Sequence, residues 1–375
     1  MKCKVFKQCG GCSFEHDKIE FHNQMKEKRY AELMGKYPNQ QPSIFMKNPY
    51  FYRHKVLSTY KYQHHRIFSG LYQSKSHKVV DTSECLIENK TAQAIQQTIK
   101  EFVSRYKIPV FDEDKGTGIL RHVLIRVGYQ TKEVMVILVC AQKEFKSQRL
   151  FVKALIQKHP EITTIVLNYN PRRTSVVLSS QSATLYGPGF IYDKIGDFRF
   201  KLSPESFYQV NPEQTEILYK KALQLANIQK DEVVLDAYCG IGTITLLSSQ
   251  YSKQSIGVEL NPKAIKDALI NKRLNRADNV LFFEQDATEF LSQLESNIDV
   301  LIMDPPRNGS TKEFLDNVKR LAPNRLLYIS CNPVTLSRDI EMIRDEYSVV
   351  THLMVDQFPF TDHVETIALL QRVGA

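Results

Sequence analysis

No stretch of this sequence stays apolar for long. The longest run, VMVILVCA at 134–141, is far short of the roughly 20 residues a membrane helix needs. The N-terminal MKCKVFKQCGGC lacks the apolar core of a signal peptide, so the chain is expected in the cytoplasm, with no membrane partner. Internal repeats and low-complexity tracts are also absent. With 42% hydrophobic and 24% charged residues over 375 positions, it reads as an ordinary globular chain, long enough for two domains. Acidic residues are missing between Glu32 and Asp81, where Lys36, Lys47, Arg53, Lys55, Lys61, Arg66, Lys75 and Lys78 fall. The imbalance is wider than that segment: residues 1–200 hold 32 basic and 17 acidic side chains, and residues 201–375 hold 18 and 24. A basic half beside an acidic half implies a surface that faces a polyanion, and nucleic acid is the leading candidate. Tyr50, Phe51, Tyr52, Tyr60, Tyr62, Phe68 and Tyr72 are interleaved with the cations. Such rings can stack on unpaired bases while lysines track phosphates, although an aromatic core under a solvated strand face accounts for many of them equally well.

From 201 onward, seven short β-branched runs alternate with helical patterns: VVLDAYCG, SIGVEL, VLFFEQDA, DVLIMDPP, RLLYISC, VVTHLMVD and VETIALLQR. That alternation predicts an α/β, Rossmann-like domain with a mostly parallel seven-stranded sheet and ligands at the strands' carboxyl ends. Residues 45–195 show strand signals with only one or two helices, which predicts an α+β domain. The expected division is 1–195 and 196–375. Residues 14–37 read as an amphipathic helix, with Phe14, Phe21, Met25, Tyr30, Leu33, Met34 and Tyr37 on its apolar side.

The run VVLDAYCGIGTITL is a strand, a turn with Gly240 and Gly242, and a helix start, where small residues let a ligand approach the backbone. Four consecutive strands end on carboxylates: Asp236, Glu259, Asp286 and Asp304. A dinucleotide site wants a third glycine, and GIGTIT lacks it. The pattern fits S-adenosylmethionine better, with Glu259 on the ribose, Asp286 near the adenine, and Asp236 with the glycine loop near the amino-acid end. Carboxylates that merely cap an unliganded sheet are the competing explanation.

Seven cysteines, an odd number, favour thiol chemistry or metal binding over disulfides in such a chain. Cys3, Cys9, Cys12 and Cys85 form one set, suited to an iron–sulfur cluster or zinc. A single Cys-x-x-Cys knuckle leans toward [4Fe–4S]. Cys140 reads as buried packing and Cys239 as lining for the cofactor turn. Cys331 remains, at the end of the fifth run and facing the same crevice. Oxygen and nitrogen carry lone pairs and need no thiol to be methylated, whereas pyrimidine C5 becomes nucleophilic once a thiolate adds to C6. Glu365 supplies the base that removes the C5 proton, with His363 as the alternative. Arg307, after the two prolines where amino-methyltransferases usually place an aromatic, argues against N-methylation. A target base must be flipped or lie in a loop to reach Cys331.

Together these residues resemble the bacterial uracil-C5 RNA methyltransferases, which make 5-methyluridine in 23S rRNA and tRNA. The likeness covers essentially the whole chain. It implies a class I S-adenosylmethionine-dependent fold, Phe207 stacking at the active site, and Gln209, Tyr238, Gly240, Gly242, Thr243, Glu259, Asp286 and Asp304 around the cofactor. It also implies Cys331 as nucleophile and Glu365 as base. Thr243 departs from the asparagine of some relatives. The spacing of Cys3, Cys9, Cys12 and Cys85 matches the [4Fe–4S] ligands of the 23S rRNA branch, which the tRNA branch lacks. The start of the chain at that motif makes it similar to the short 23S rRNA enzymes. The implied target is 23S rRNA, at a uracil-747 type site, by a monomer that does not act on DNA. A tRNA methyltransferase and a non-catalytic RNA-binding assembly factor are the alternatives.

Overall fold

Two seven-stranded sheets stacked through a shared core organise the chain, seen in a computed structural model that describes every residue except 74, 75, 77, 173–175 and 375. Lys75 of the basic segment lies outside the described residues. A single helical turn, α1 (Phe6–Cys9), and the helix α2 (Ile19–Met34) come first. The first sheet comprises β1 (Lys55–Gln63), β2 (Arg66–Tyr72), β3 (Val79–Asp81), β4 (Leu120–Val127), β5 (Val134–Cys140), β6 (Ile162–Tyr169) and β7 (Ser182–Tyr186), in the order β3-β2-β1-β4-β5-β6-β7. Helices α3 (Lys90–Arg105) and α4 (Gln148–Lys158) cover one of its faces.

Every residue of β4 and β5 is buried, which explains the unbroken run VMVILVCA. A strand's side chains alternate between faces. Val134, Val136, Leu138 and Cys140 pack under α3 and α4, while Met135, Ile137 and Val139 enter a core shared with the second sheet. Cys140 is thus buried packing, as its surroundings predict.

A hairpin of β8 (Ile191–Ile195) and β9 (Phe198–Leu202) leads to α5 (Pro212–Ala226). The C-terminal half then runs β10 (Val233–Asp236), α6 (Thr243–Ser249), β11 (Gln254–Glu259), α7 (Pro262–Leu274), β12 (Val280–Glu284), α8 (Ala287–Gln293), β13 (Val300–Met303), α9 (Lys312–Leu321), β14 (Arg325–Ser330), α10 (Pro333–Ile343), β15 (Tyr347–Val355) and β16 (Glu365–Arg372). The sheet order is β12-β11-β10-β13-β14-β16-β15, parallel through β14, with β16 inserted antiparallel between β14 and β15. The chain steps outward from β10 to β11 and β12, and then returns to the other side of β10 at β13. This switch opens a crevice at the carboxyl ends of the central strands.

The N-terminal helix departs from its hydrophobic pattern. α2 begins at Ile19, not residue 14, and its buried stripe is His22, Lys26, Tyr30 and Met34. Phe21 and Met25 lie 54% and 42% exposed. The helix docks on polar partners of the second sheet: Lys26 pairs with Asp356, and the Tyr30 hydroxyl lies 2.7 Å from His352 Nδ1. An interface built on these contacts selects the face that carries the polar heads. Among the described residues, no helix is long and apolar enough to cross a membrane.

Candidate active site

At the crevice, Gly242 is the residue before α6, with φ +82°, and a Cβ there would lie 2.5 Å from Phe282. Gly240 also has positive φ, but a Cβ there would meet nothing within 4 Å. The two glycines thus have different reasons: Gly242 for packing and conformation, Gly240 for conformation beside open space. Glu259 braces the turn by accepting the Gly240 amide at 3.1 Å on one oxygen and the Asn261 amide at 2.7 Å on the other. Asp236 is buried, with one oxygen accepting the Thr245 hydroxyl at 2.6 Å and the other lacking a protein partner. Burial pushes its carboxyl up to about 6. Such an orphaned acceptor beside a glycine turn suits a ligand with an N–H to donate.

Gly240 and Glu259 line a crevice of about 150 Å³ with Ser203, Ser206, Phe207 and Lys263. Phe207 is 66% exposed, a large apolar ring free to meet a ligand. Its loop is held from below, since the Ser206 hydroxyl donates to Asp267 at 2.6 Å and the Ser203 hydroxyl to the other oxygen of the same carboxylate at 2.9 Å. Asp267 lies on the buried face of α7 among Ala264, Ile265 and Ala268. A lone acid within an apolar stripe is a readable signal for such an anchor, and it was missed. Gln209 and Thr243 lie near the buried Tyr219 hydroxyl. Tyr238 packs its ring 5.5 Å from that of Phe314. Asp286 is exposed and caps α8, accepting the Thr288 amide at 2.8 Å.

The second constellation follows from the sheet register. β14 and β16 pair antiparallel, with Ser330 opposite Thr366, so one step further Cys331 faces Glu365. Glu365 is 3% exposed. Burial, with nearby Asp304, holds its carboxyl well above the usual range, while Arg307 opposes the shift. The half-buried Cys331 thiol is pushed up to about 11 by burial, Glu365 and Asp304, with Arg307 again opposing. Asp304 itself rises to about 7, through burial and the charge of Asp236. A thiol, two carboxyl groups with raised pKa values and one cation therefore share a site at the sheet's carboxyl edge. His363 borders this group through Arg307, its Nε2 lying 3.4 Å from the guanidinium. The Arg307 carbonyl accepts from the Asn332 and Thr335 side chains, which ties the proline turn to the cysteine turn.

The N-terminal cysteines gather elsewhere. Cys3, Cys9, Cys12 and Cys85 line one cavity of about 450 Å³, with His16, Arg53, Lys55 and Glu88. Backbone N–H groups reach two of the sulfurs, Gly11 that of Cys9, and Ile87 and Glu88 that of Cys85. Among the described residues, however, no three His, Cys, Asp or Glu side chains close into a group that could hold a metal ion. The expected ligand set shares a wall without forming a coordination shell. Of the interleaved aromatics, Tyr52 and Tyr60 are buried and removed from any stacking role, whereas Tyr62 is 61% exposed.

The profile described as tRNA (Uracil-5-)-methyltransferase matches residues 19–373. The chain is 38% identical over 378 residues to an uncharacterized RNA methyltransferase of Halalkalibacterium halodurans, covering 98% of this chain and 82% of that one. It is 37% identical over 372 residues to a counterpart in Oceanobacillus iheyensis, covering 96% and 81%. Among solved structures it is similar to Pyrococcus abyssi tRNA (uracil-54, C5)-methyltransferase in complex with S-adenosyl-L-homocysteine, with a TM-score of 0.81, 24% identity, and coverage of 97% and 86%.

Proposed function

The chain belongs to the tRNA (uracil-5-)-methyltransferase family, and from that premise we propose that Cys331 and Glu365 are the nucleophile and base by which it methylates uracil C5 in RNA, 23S rRNA being the favoured substrate. It is an S-adenosylmethionine-dependent RNA methyltransferase with the class I α/β fold. The observation that supports the residue assignment is the β14–β16 pairing, which ends at Ser330–Thr366 just before Cys331 and Glu365, together with the influence of Glu365 on the Cys331 thiol.

Cys331, once deprotonated, adds to C6 of the uracil and forms an S–C6 bond, and the ring electrons move to give an enolate with a nucleophilic C5. Bound S-adenosylmethionine supplies the electrophilic methyl that C5 takes. Glu365, as carboxylate, removes the C5 proton, the C5=C6 bond re-forms and the Cys331 sulfur leaves. Glu259, the Gly240 turn, Asp236, Gln209, Tyr238, Gly242, Thr243, Asp286 and Asp304 would hold the methyl donor, and Phe207 would stack on the base.

We also infer that the cavity lined by Cys3, Cys9, Cys12 and Cys85 takes a [4Fe–4S] cluster, supported by four thiols on one wall with backbone N–H groups at Cys9 and Cys85. Such a cluster would cross-link the N-terminal segment to the Cys85 loop. Protein isolated without air should then be brown, with absorbance near roughly 400 nm and about four irons per chain; stoichiometric zinc without iron overturns this. For the reaction, RNA carrying 5-fluorouridine should trap a covalent complex with the wild type and none with Cys331→Ala. An equal adduct in both removes Cys331 from the mechanism. Methyl incorporation into purified tRNA but not 23S rRNA would move the substrate to tRNA.

A further inference from the structure

The far end of the β1–β2 hairpin borders a space that no step of the reaction uses. A cavity of about 490 Å³ lies there, lined by Tyr62 and Ile67 on one side and by residues 107–112, the chain that follows α3, on the other. It shares no residue with the cysteine cavity or with the crevice at Gly240. β1 runs toward it from Lys55, which lines a small cleft with Gln209. Six residues of strand separate Lys55 from Lys61, roughly 20 Å at about 3.3 Å per residue. The cavity is therefore remote from the reacting groups.

Its walls are fixed before any ligand arrives. The Ile108 amide donates to the Val103 carbonyl at 2.9 Å, that of Phe111 to Leu120 at 2.8 Å, and that of Asp112 to Thr117 at 2.7 Å. Ile108 and Phe111 are buried and give the cavity an apolar floor. On β1, Tyr60 is buried and its hydroxyl donates to Gln96 Oε1 at 2.7 Å. Tyr62, two residues on and so on the same face of the strand, is left 61% exposed at the cavity. An exposed tyrosine by itself is ordinary. This one borders a preformed apolar space whose volume falls within the about 300–1,000 Å³ of small-ligand sites.

Three cations, Lys61, Lys107 and Lys115, line the cavity with a single acid, Asp112. Asp112 is engaged: one oxygen accepts the Asp114 and Lys115 amides at 3.0 and 3.2 Å, and the other lies 3.6 Å from the Lys115 ammonium. Lys61 lies 3.5 Å from Asp114, which is largely exposed, and such surface pairs hold weakly. Lys107 is exposed, and its ammonium has no partner among the described residues. Its φ is +51°, just past the end of α3, where helices commonly place glycine. Lys107 and Asp112 stand at opposite ends of the lining segment, so a phosphate at the first avoids the carboxylate at the second.

A ring to stack on, an apolar floor and a free ammonium at the rim suit one unpaired nucleotide. A bare phosphate would leave the floor unused, and an apolar ligand would leave the cations unused. We propose that this cavity is a second contact for the RNA substrate, in which an unpaired base stacks on Tyr62 and its phosphate lies at Lys107, anchoring the strand away from the uridine that is methylated. The proposal rests on the RNA-methyltransferase reading and adds to it a determinant of substrate choice.

The test is filter binding of a 23S rRNA hairpin with single-stranded flanks, and of a tRNA transcript, to full-length protein prepared without air and without methyl donor. Tyr62→Ala should weaken binding of the methylated RNA about 5- to 150-fold, the worth of one stacked base, and Tyr62→Phe should retain it. Lys107→Gly should lower the slope of log affinity against log salt by about 0.7, the share of one single-strand phosphate. Its stability to urea should hold or rise, since glycine relaxes the positive φ. In turnover, Tyr62→Ala should raise KM and leave kcat in place. Ultraviolet crosslinking should join Tyr62 to a nucleotide other than the one that Cys331 traps as 5-fluorouridine. Unchanged affinity in Tyr62→Ala, an unchanged slope in Lys107→Gly, or a crosslink only to the methylated position overturns the proposal. Wild-type affinity of Tyr62→Ala for naked RNA with lost methylation of ribosomal particles also overturns it, and gives the cavity to a protein. Because binding is read without turnover, a Tyr62-dependent affinity in a protein that never methylates uracil would sink the uracil-C5 reading and leave this contact standing.

Discussion

Lys26 Nζ donates to Asp356 at 2.6 Å and to the Phe358 carbonyl at 3.0 Å, with both side chains of the pair only 2% exposed. The pair fastens α2 to the segment that runs from β15 into β16, whose first residue is Glu365. Other bonds follow the same path. The Tyr52 hydroxyl donates to the Pro359 carbonyl at 3.0 Å, and the Ser13 and Phe14 amides donate to the Phe360 carbonyl at 2.9 and 3.1 Å. Phe360 is fully buried with φ +64°, a conformation a bulky residue holds only when its surroundings impose it. Its ring lies 4.3 Å from that of His16 and forms, with Tyr52 and Ile87, a small core against which Cys12 and Cys85 pack. The cysteine cavity and the candidate base are therefore joined through one short, heavily bonded segment.

Removing the cation should loosen that segment. Lys26→Met leaves Asp356 buried without its partner and should cost about 3–5 kcal/mol, whereas the double variant Lys26→Met, Asp356→Leu should recover much of it; urea unfolding measures both. If the segment positions Glu365, Lys26→Met should also accumulate a denaturation-resistant complex with ordinary uridine RNA, because proton removal from C5 lags behind thiol addition. A variant that is merely less stable shows no such complex.

Glu365→Gln should separate the two halves of the reaction. The base should be worth about 10²–10⁴ in turnover, so methylated product falls by that factor while the covalent complex persists on a denaturing gel. Loss of the complex together with turnover would transfer the earlier, thiol-activating role to Glu365.

How far the sequence revealed this arrangement depends on the kind of signal. The strand runs ending at Asp236, Glu259 and Asp304 carried their own address, because a parallel sheet places successive carboxyl ends along one edge. The α2 face was misread because hydrophobic periodicity registers apolar atoms, and the buried stripe there includes Lys26 and Tyr30, whose polar partners Asp356 and His352 lie more than three hundred residues away. The cavity at Tyr62 was illegible for the same reason: the fold, not spacing, brings that ring to residues 107–112. Phe207 and Gln209 came from family resemblance alone. The exposure of Phe207 leaves its ring free to meet a ligand.

The turn at Gly242 offers a stability test independent of chemistry. Gly242→Ala combines a positive φ, which costs an L-residue about 1–2 kcal/mol, with a Cβ 2.5 Å from the Phe282 ring. The protein should lose stability and affinity for S-adenosylhomocysteine, read by calorimetry. Phe282→Leu in the same chain should recover the steric share but not the conformational one, so rescue is partial. Full rescue would mean that the left-handed backbone costs nothing here.

The pH dependence follows from Cys331. Its thiol is held up to about 11 by burial and by Glu365 and Asp304, so at neutral pH only a small thiolate fraction exists in the free protein. That fraction grows about tenfold per pH unit below the pKa. The rate of adduct formation with 5-fluorouridine RNA, measured under single-turnover conditions, should therefore rise with pH across 7–9 at a slope near one. Glu365→Gln removes a negative neighbour and should displace the profile to lower pH, giving faster adduct formation at pH 7. Arg307→Met removes the opposing cation and should displace it upward. If neither variant moves the profile, the proton leaves Cys331 only after RNA has changed the site's charge balance, and the thiol's activation belongs to the complex.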